Sequence, residues 1–299
     1  MHAIMHLQSK SEYLFKIFKV TKEKTMKKII ALVMALTMVF ALCACGAQAA
    51  PADNKLILGT SADYAPFEFM YADEKGVMQY GGIDVLAAEY IAKELGKELQ
   101  VENMSFDYLL VALAKGDYDI VMAAMEDTEE REASADFSDP YYTDVPPMIL
   151  VKKENADQYK TLNDFDGKAV GAQTATTKED IVKDQMPGAS LTSIQVVNDL
   201  VNQLVYDKLD AVVLDGAVAL AFAESNPDLV VAEASSELGE AAPYCVAVAK
   251  GDPKGLLPGI NAAIAKMSSE NVMEGIIEAA NSIVDSGIAE EVSVDAPES

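Results

Sequence analysis

The sequence predicts an α/β fold of two lobes with a cleft between them. Strand-like and helix-like segments alternate from Lys55 onward, the order of βαβ units built on a mostly parallel sheet. The alternation falls into two units of similar size, each near the lower end of ordinary domain size. From Cys45 onward the only cysteines are Cys45 and Cys245, so a hydrophobic core rather than a disulfide framework must hold the chain together.

In chain order, residues 56–60 read as a short buried strand. Asp84 is expected to cap a helix over 85–95, whose Val85, Ala88, Ile91, Ala92 and Leu95 recur at helical spacing until Gly96 stops it. A strand over 99–102, a helix over 107–115 ended by Gly116 and a strand over 119–123 complete the first unit. The second is read as strands over 147–152 and 168–173, helices over 177–183 and 197–208, a buried strand over 211–214 and a closing strand over 230–232. A strand over 245–250, in whose apolar run Cys245 is a small buried residue, and helices over about 253–267 and 270–286 finish the ordered chain.

The two ends are read differently. Lys27 and Lys28 precede an uncharged apolar run over 29–42, and small residues follow it, which describes an export signal too short to span a membrane comfortably. Met26 is then the start codon, residues 1–25 are an upstream extension, and 26–44 are the signal peptide. The tetrad Leu42-Cys43-Ala44-Cys45 resembles the lipobox of bacterial lipoproteins; the resemblance implies cleavage before Cys45 and a diacylglyceryl thioether on its sulfur, two acyl chains that anchor a domain stably. Cleavage near Ala47 or Ala50 without lipid is the other reading. Residues 45–54 are read as a linker and the acidic, small-residue stretch 289–299 as a disordered tail.

Composition excludes several functions. From Cys45 onward there are 16 Lys+Arg against 46 Asp+Glu, a net charge of −30, which rules out nucleic acid as a partner. Both histidines, His2 and His6, precede Cys45. That removes Ser-His-Asp and Cys-His catalysis and histidine metal sites from the remainder.

Arg131 is the only arginine in the chain. A guanidinium grips a carboxylate through a planar fork and keeps its charge when desolvated, although beside Glu129 and Glu130 an exposed surface charge is also possible. In open α/β sheets ligands sit beyond the carboxyl ends of strands, which selects 60–67, 124–131, 173–177 and Asp215. These supply a carboxylate clamp in Arg131, hydroxyls and N–H groups at a helix start in Thr176 and Thr177, an acid in Asp215, and aromatic faces in Tyr64 and Phe106. A cation, an anion and apolar walls together suit a zwitterion.

Gly59-Thr60-Ser61-Ala62-Asp63-Tyr64-Ala65-Pro66-Phe67-Glu68-Phe69, Gly82-Ile83-Asp84, Phe106-Asp107-Tyr108-Leu109-Leu110, Thr128-Glu129-Glu130-Arg131, Asp136-Phe137-Ser138-Asp139-Pro140-Tyr141-Tyr142 and Asp164-Phe165-Asp166-Gly167-Lys168 resemble family 3 bacterial extracellular solute-binding proteins, the amino-acid receptors of ABC importers, over about 55–288. The resemblance implies a periplasmic-binding-protein-like fold in which lobe 1 is 55–147 with 246–288, lobe 2 is 148–245, and two hinge crossovers join them over a ligand cleft. It implies that Arg131, Thr176 and Thr177 bind an α-carboxylate, that Asp215 takes the α-ammonium, and that Tyr64 and Phe106 sandwich the side chain. Ala124, Glu126 and Gln173 complete the expected ligand-binding set.

Three residues depart from the family pattern. Ala175 stands where Gly is usual before the threonines, Ser61 where receptors for cationic side chains often carry Asp, and Glu126 where Ser or Thr is usual. Glu126 either joins Asp215 at the ammonium or is a solvated member of a Glu126-Asp127 pair. Two unit charges about 4 Å apart in a partly buried cleft interact by roughly 4 kcal/mol, so Glu126 and Asp215 lean against an acidic side chain. Without Asp at 61, the expectation is a neutral polar or apolar amino acid, with Gln173 as a side-chain partner.

The expected protein is therefore a monomeric, extracytoplasmic binding protein, lipid-anchored to the outer membrane face or periplasmic. It would use no cofactor and no metal, and would deliver an amino acid to ABC permease subunits. The alternative is a cyclohexadienyl- or prephenate-dehydratase-like enzyme on the same fold, for which Glu126 is the one candidate general acid.

Overall fold

The structure, a computed structural model, describes residues 54–285. The segments expected to be an upstream extension, a signal peptide, a lipidation site at Cys45, a linker over 45–53 and an acidic tail over 289–299 lie outside the described residues.

The first lobe is built from β1 (Lys55–Thr60), β2 (Asp63–Tyr64), β3 (Glu68–Ala72), β4 (Met78–Gly81), α1 (Ile83–Glu94), β5 (Glu98–Asn103), α2 (Leu109–Lys115), β6 (Ile120–Val121), α3 (Glu129–Glu132) and β7 (Ala135–Phe137). The chain crosses through β8 (Tyr142–Thr143) into β9 (Met148–Lys152), β10 (Ala169–Gln173), α4 (Thr177–Gln185), β11 (Ser190–Ile194), α5 (Val197–Val205), β12 (Ala211–Leu214), α6 (Gly216–Ser225) and β13 (Leu229–Val231). It returns through β14 (Pro243–Tyr244) to β15 (Ala247–Ala249), α7 (Leu257–Ser269) and α8 (Val272–Asp285).

Each lobe has a five-stranded sheet, in the orders β5-β1-β6-β15-β7 and β11-β10-β12-β9-β13. In each, four strands point one way and one runs against them: β1 pairs parallel with β5 and β6, and β10 with β11 and β12. The returning β15 enters the first sheet antiparallel to β6 and β7, while β9 lies antiparallel between β12 and β13. The two crossing segments pair with each other as β8 and β14, with Tyr142 opposite Tyr244, so the lobes are joined by a short two-stranded ribbon.

Buried apolar side chains explain why these segments fold as they do. Leu56 and Leu58 of β1 are fully buried, and α1 lays Ala88, Ile91 and Ala92 into the same core. Burying one such leucine or isoleucine contributes about 1.5–3 kcal/mol. In the second lobe Val151, Val170, Ala172, Ala211 and Val213 form the core, closed by Tyr159 and Phe165, stacked with ring centroids 4.6 Å apart.

Several elements differ from the expectation, the unread edge strands β7 and β11 among them. Helix α1 begins at Ile83 with Gly82 as its cap, not Asp84. Gly82 sits at φ 115 and a Cβ there would lie 2.1 Å from the Phe67 carbonyl oxygen, so only glycine fits the approach to β3. Asp84 is thereby carried into the first turn and buried. Helix α6 was not foreseen, because its run Gly216-Ala217-Val218-Ala219-Leu220-Ala221 has no polar face to give a helical period. The small sheet β2-β3-β4 was also unread, its strands being short and joined by turns.

Candidate functional site

The ends of the central parallel strands meet across the cleft, and each brings one polar group. Arg131 follows β6 on the short helix α3, whose Thr128 cap accepts the Arg131 backbone N–H at 3.3 Å. Its guanidinium donates to the Glu126 carbonyl at 2.9 Å and lies 5.3 Å from the Phe106 ring centroid, a cation–π distance. Burial lowers its pKa, against the opposing charges of Glu126 and Asp215. In the other lobe, β10 leads through Gln173 and Ala175 to Thr176, the cap residue of α4, and β12 leads directly to Asp215, which caps α6.

Two alanines flank the cleft in left-handed backbone, Ala124 at φ 46 and Ala175 at φ 63, a conformation that costs a non-glycine residue about 1 kcal/mol or more. The structure holds both. The Ala124 N–H donates to Asp84 at 2.7 Å, while Ala175 presents its carbonyl to Arg131 across the cleft at 3.2 Å and its N–H to Glu179 at 3.2 Å.

Further bonds join the lobes. Tyr64 donates its hydroxyl to Asp215 Oδ2 at 2.7 Å, and the Asp215 backbone N–H donates back to that hydroxyl at 3.2 Å. Asp63 accepts the N–H of Val197 at 2.9 Å, capping the start of α5 from the opposite lobe, and Gln195 donates to Asp107 at 2.8 Å. The cavity between these contacts holds only about 10 Å³ of free space, room for one water and not for an amino acid. Ligand entry therefore requires the lobes to part.

All nine residues expected at the site line this one cavity, so the surface-charge reading of Arg131 and the solvated reading of Glu126 are set aside. Several are engaged differently from the expectation. Tyr64 is a hydrogen-bond donor as well as an aromatic wall, its ring stacked on Phe67 at 6.4 Å. Thr176 donates its hydroxyl to the Gln173 carbonyl at 2.7 Å, and Gln173 donates its amide to the Gln195 carbonyl at 3.0 Å.

Two ionisable wall residues were missed. Lys178, in the first turn of α4, is buried, and its ammonium bonds Glu126 Oε1 at 3.0 Å, Thr177 Oγ1 at 3.1 Å and Asp215 Oδ1. Burial, the largest effect, lowers the Lys178 pKa, but Asp215 and Glu126 outweigh it and the net direction is upward. Burial likewise raises the Glu126 pKa, yet Lys178, Thr177 and Arg131 bring it below the usual glutamate value. A lysine in a helix's first turn opposes the helix dipole, and that placement was its only signal in the sequence.

Glu68 is the other, buried in β3 between Phe67 and Phe69. Burial first, then the charges of Asp84 and Asp63, push its pKa well above the ordinary value, which favours its protonated form. Asp84, which accepts from Tyr141 at 2.7 Å and from Ala124, is pushed up to about 6 by burial. Glu68 Oε2 has no protein partner. An acid between two phenylalanines was the legible sign of its burial.

Residues 56–279 match the family described as bacterial extracellular solute-binding proteins, family 3. The chain is 37% identical over 220 residues to the arginine-binding extracellular protein ArtP of Bacillus subtilis, covering 71% of this chain and 83% of that protein. It is 32% identical to a probable histidine-binding protein of Campylobacter jejuni, covering 75% and 83%. An amino acid ABC transporter substrate-binding protein from Streptococcus pneumoniae, solved with L-arginine bound, superimposes with a TM-score of 0.72 at 37% identity, covering 77% of this chain and 94% of that one.

Proposed function

Since the chain belongs to the bacterial extracellular solute-binding proteins of family 3, we propose that its cleft captures a basic amino acid, arginine before lysine, by lobe closure and presents it to the permease of an ABC importer. The observation that carries this reading is the opposition of Arg131 and Asp215 in one enclosed cavity to which both lobes contribute. The α-carboxylate would take the Arg131 fork and the N–H groups at the start of α4, and the α-ammonium would take Asp215. The side chain would pass Tyr64 and Phe106 towards Glu68.

Glu68 moves the side-chain preference from the neutral residue expected from the sequence to a basic one. A buried carboxyl with an unpartnered oxygen in the cavity wall is poorly satisfied until a donor reaches it, and a guanidinium would both donate and supply the counter-charge for its ionisation. Relatives and neighbours named for arginine, or solved with it, point the same way.

The dehydratase alternative has a specific difficulty. It needs a general acid, and Glu126 is held ionised by Lys178 and Thr177, the wrong state for proton donation.

Protein stripped of ligand by unfolding and refolding should be stabilised most by arginine in a thermal-shift panel of the common amino acids, and Arg131→Ala should abolish the shift. Absence of any shift, or a full shift in Arg131→Ala, would overturn the reading. A larger shift with glutamine or leucine than with arginine would restore the neutral preference. The lipid anchor proposed at Cys45 is tested separately: Cys45→Ala should release the protein from membranes into the medium or periplasm.

A further inference from the structure

Lys178 carries an inference beyond ligand class. Its ammonium touches an acid from each lobe, Asp215 at the end of β12 and Glu126 after β6, and is 5% exposed. Arg131 is the other cation in the cavity wall, and its guanidinium donates to the carbonyl oxygens of Glu126 and Ala175, not to carboxylates. Within that wall Lys178 alone therefore neutralises Glu126 and Asp215 by direct contact.

We propose that Lys178 is a tethered cation that latches the two lobes together through Glu126 and competes with the ligand's ammonium for Asp215. The latch rests on geometry alone; the competition rests also on the reading that Asp215 receives an α-ammonium. When a zwitterion binds, Lys178 gives up Asp215 and keeps Glu126, so two acids face two cations and no charge is stranded. A glutamate is tolerable at this place because its counter-ion comes from within the chain. The affinity of the site is then set by a contest between an internal and an external ammonium for one carboxylate.

Two readouts separate the parts. In small-angle X-ray scattering of the stripped protein, Lys178→Met and Glu126→Gln should each increase the radius of gyration, because each breaks the bridge between lobes. In calorimetric titration with arginine, Lys178→Met should tighten binding by roughly tenfold or more, the scale of a close buried charge pair, whereas Glu126→Gln, which leaves Lys178 on Asp215, should not tighten it. An unchanged radius in both variants would overturn the latch, and unchanged or weaker arginine binding by Lys178→Met would overturn the competition. Should Lys178→Met fail to fold with two stranded acids, the Lys178→Met/Glu126→Gln double variant carries the same two tests. Binding of no amino acid by the wild type would sink the proposed function but leave the scattering test of the latch intact.

Discussion

Tyr64 and Asp215, 151 positions apart in sequence and in different lobes, exchange two hydrogen bonds: the phenol donates to the carboxylate at 2.7 Å and the Asp215 backbone N–H donates to the phenol oxygen at 3.2 Å. Burial and the neighbouring Asp215 charge raise the Tyr64 pKa well above 10, so the phenol stays a donor across the physiological range. The contact fixes which face of Asp215 is left for other cations.

Tyr64→Phe keeps the ring and removes that donor. It leaves a buried carboxylate oxygen and a buried N–H short of a partner, a loss of about 1–3 kcal/mol. Arginine affinity should fall by about tenfold, read by calorimetric titration, with little change in the far-ultraviolet circular dichroism. Unchanged affinity would mean that the bond is incidental to closure.

Arg131→Lys should separate charge from shape. The ammonium preserves the positive charge but cannot bond the Glu126 and Ala175 carbonyls and a carboxylate together as the planar fork can. A fall in affinity of about tenfold or more is expected, larger than for Tyr64→Phe. Near-wild-type binding would show that only the charge matters at this position.

Much of this site was legible in the sequence because strand ends are legible. Thr176 follows an apolar strand and opens a helix, and Asp215 follows four apolar residues, so sheet logic alone put both at the cleft. Arg131 stood out by being alone. What the sequence hid was pairing across the lobes: nothing near Lys178 in the chain shows that Glu126, 52 positions away, is its partner. Asp84 was misread as a cap because its side chain suits one, whereas the close approach of β3 made Gly82 obligatory there.

Ala175→Gly should stabilise the protein slightly. At φ 63 glycine escapes a strain of about 1–2 kcal/mol, of which its greater freedom in the unfolded chain takes back about 0.4–1 kcal/mol. A rise in melting temperature of a few degrees or less is the expected result in a scanning calorimeter. A clear drop would show that the methyl group packs in a way that outweighs the backbone strain. Gly82→Ala is the opposite case, since its added Cβ meets backbone at 2.1 Å. It should lower stability by several kcal/mol, among the larger single-residue effects.

The Glu68–Asp84 pair should give the protein an acid-favoured component of stability. Asp84 titrates near 3.8 when unperturbed and at about 6 in the fold, so between those values the native state holds more protons than the unfolded chain. Its contribution is then complete below the lower value and is lost as pH rises through the upper one, by up to about 3 kcal/mol. Glu68, also shifted upward, acts in the same sense. Surface acids held below their usual values, such as Asp136 beside Lys250, act oppositely, so wild-type data alone mix the two signs. Glu68 and Asp84 hydrogen-bond each other side chain to side chain, and Glu68→Gln isolates the buried pair: the amide can donate to Asp84 but cannot ionise. Thermal unfolding between about pH 4 and pH 8 should show a smaller loss of stability on the alkaline side in this variant than in wild type. Superimposable profiles would locate the pH dependence elsewhere. On the proposed reading the same substitution should also reduce arginine affinity, because the amide cannot supply a counter-charge to the guanidinium.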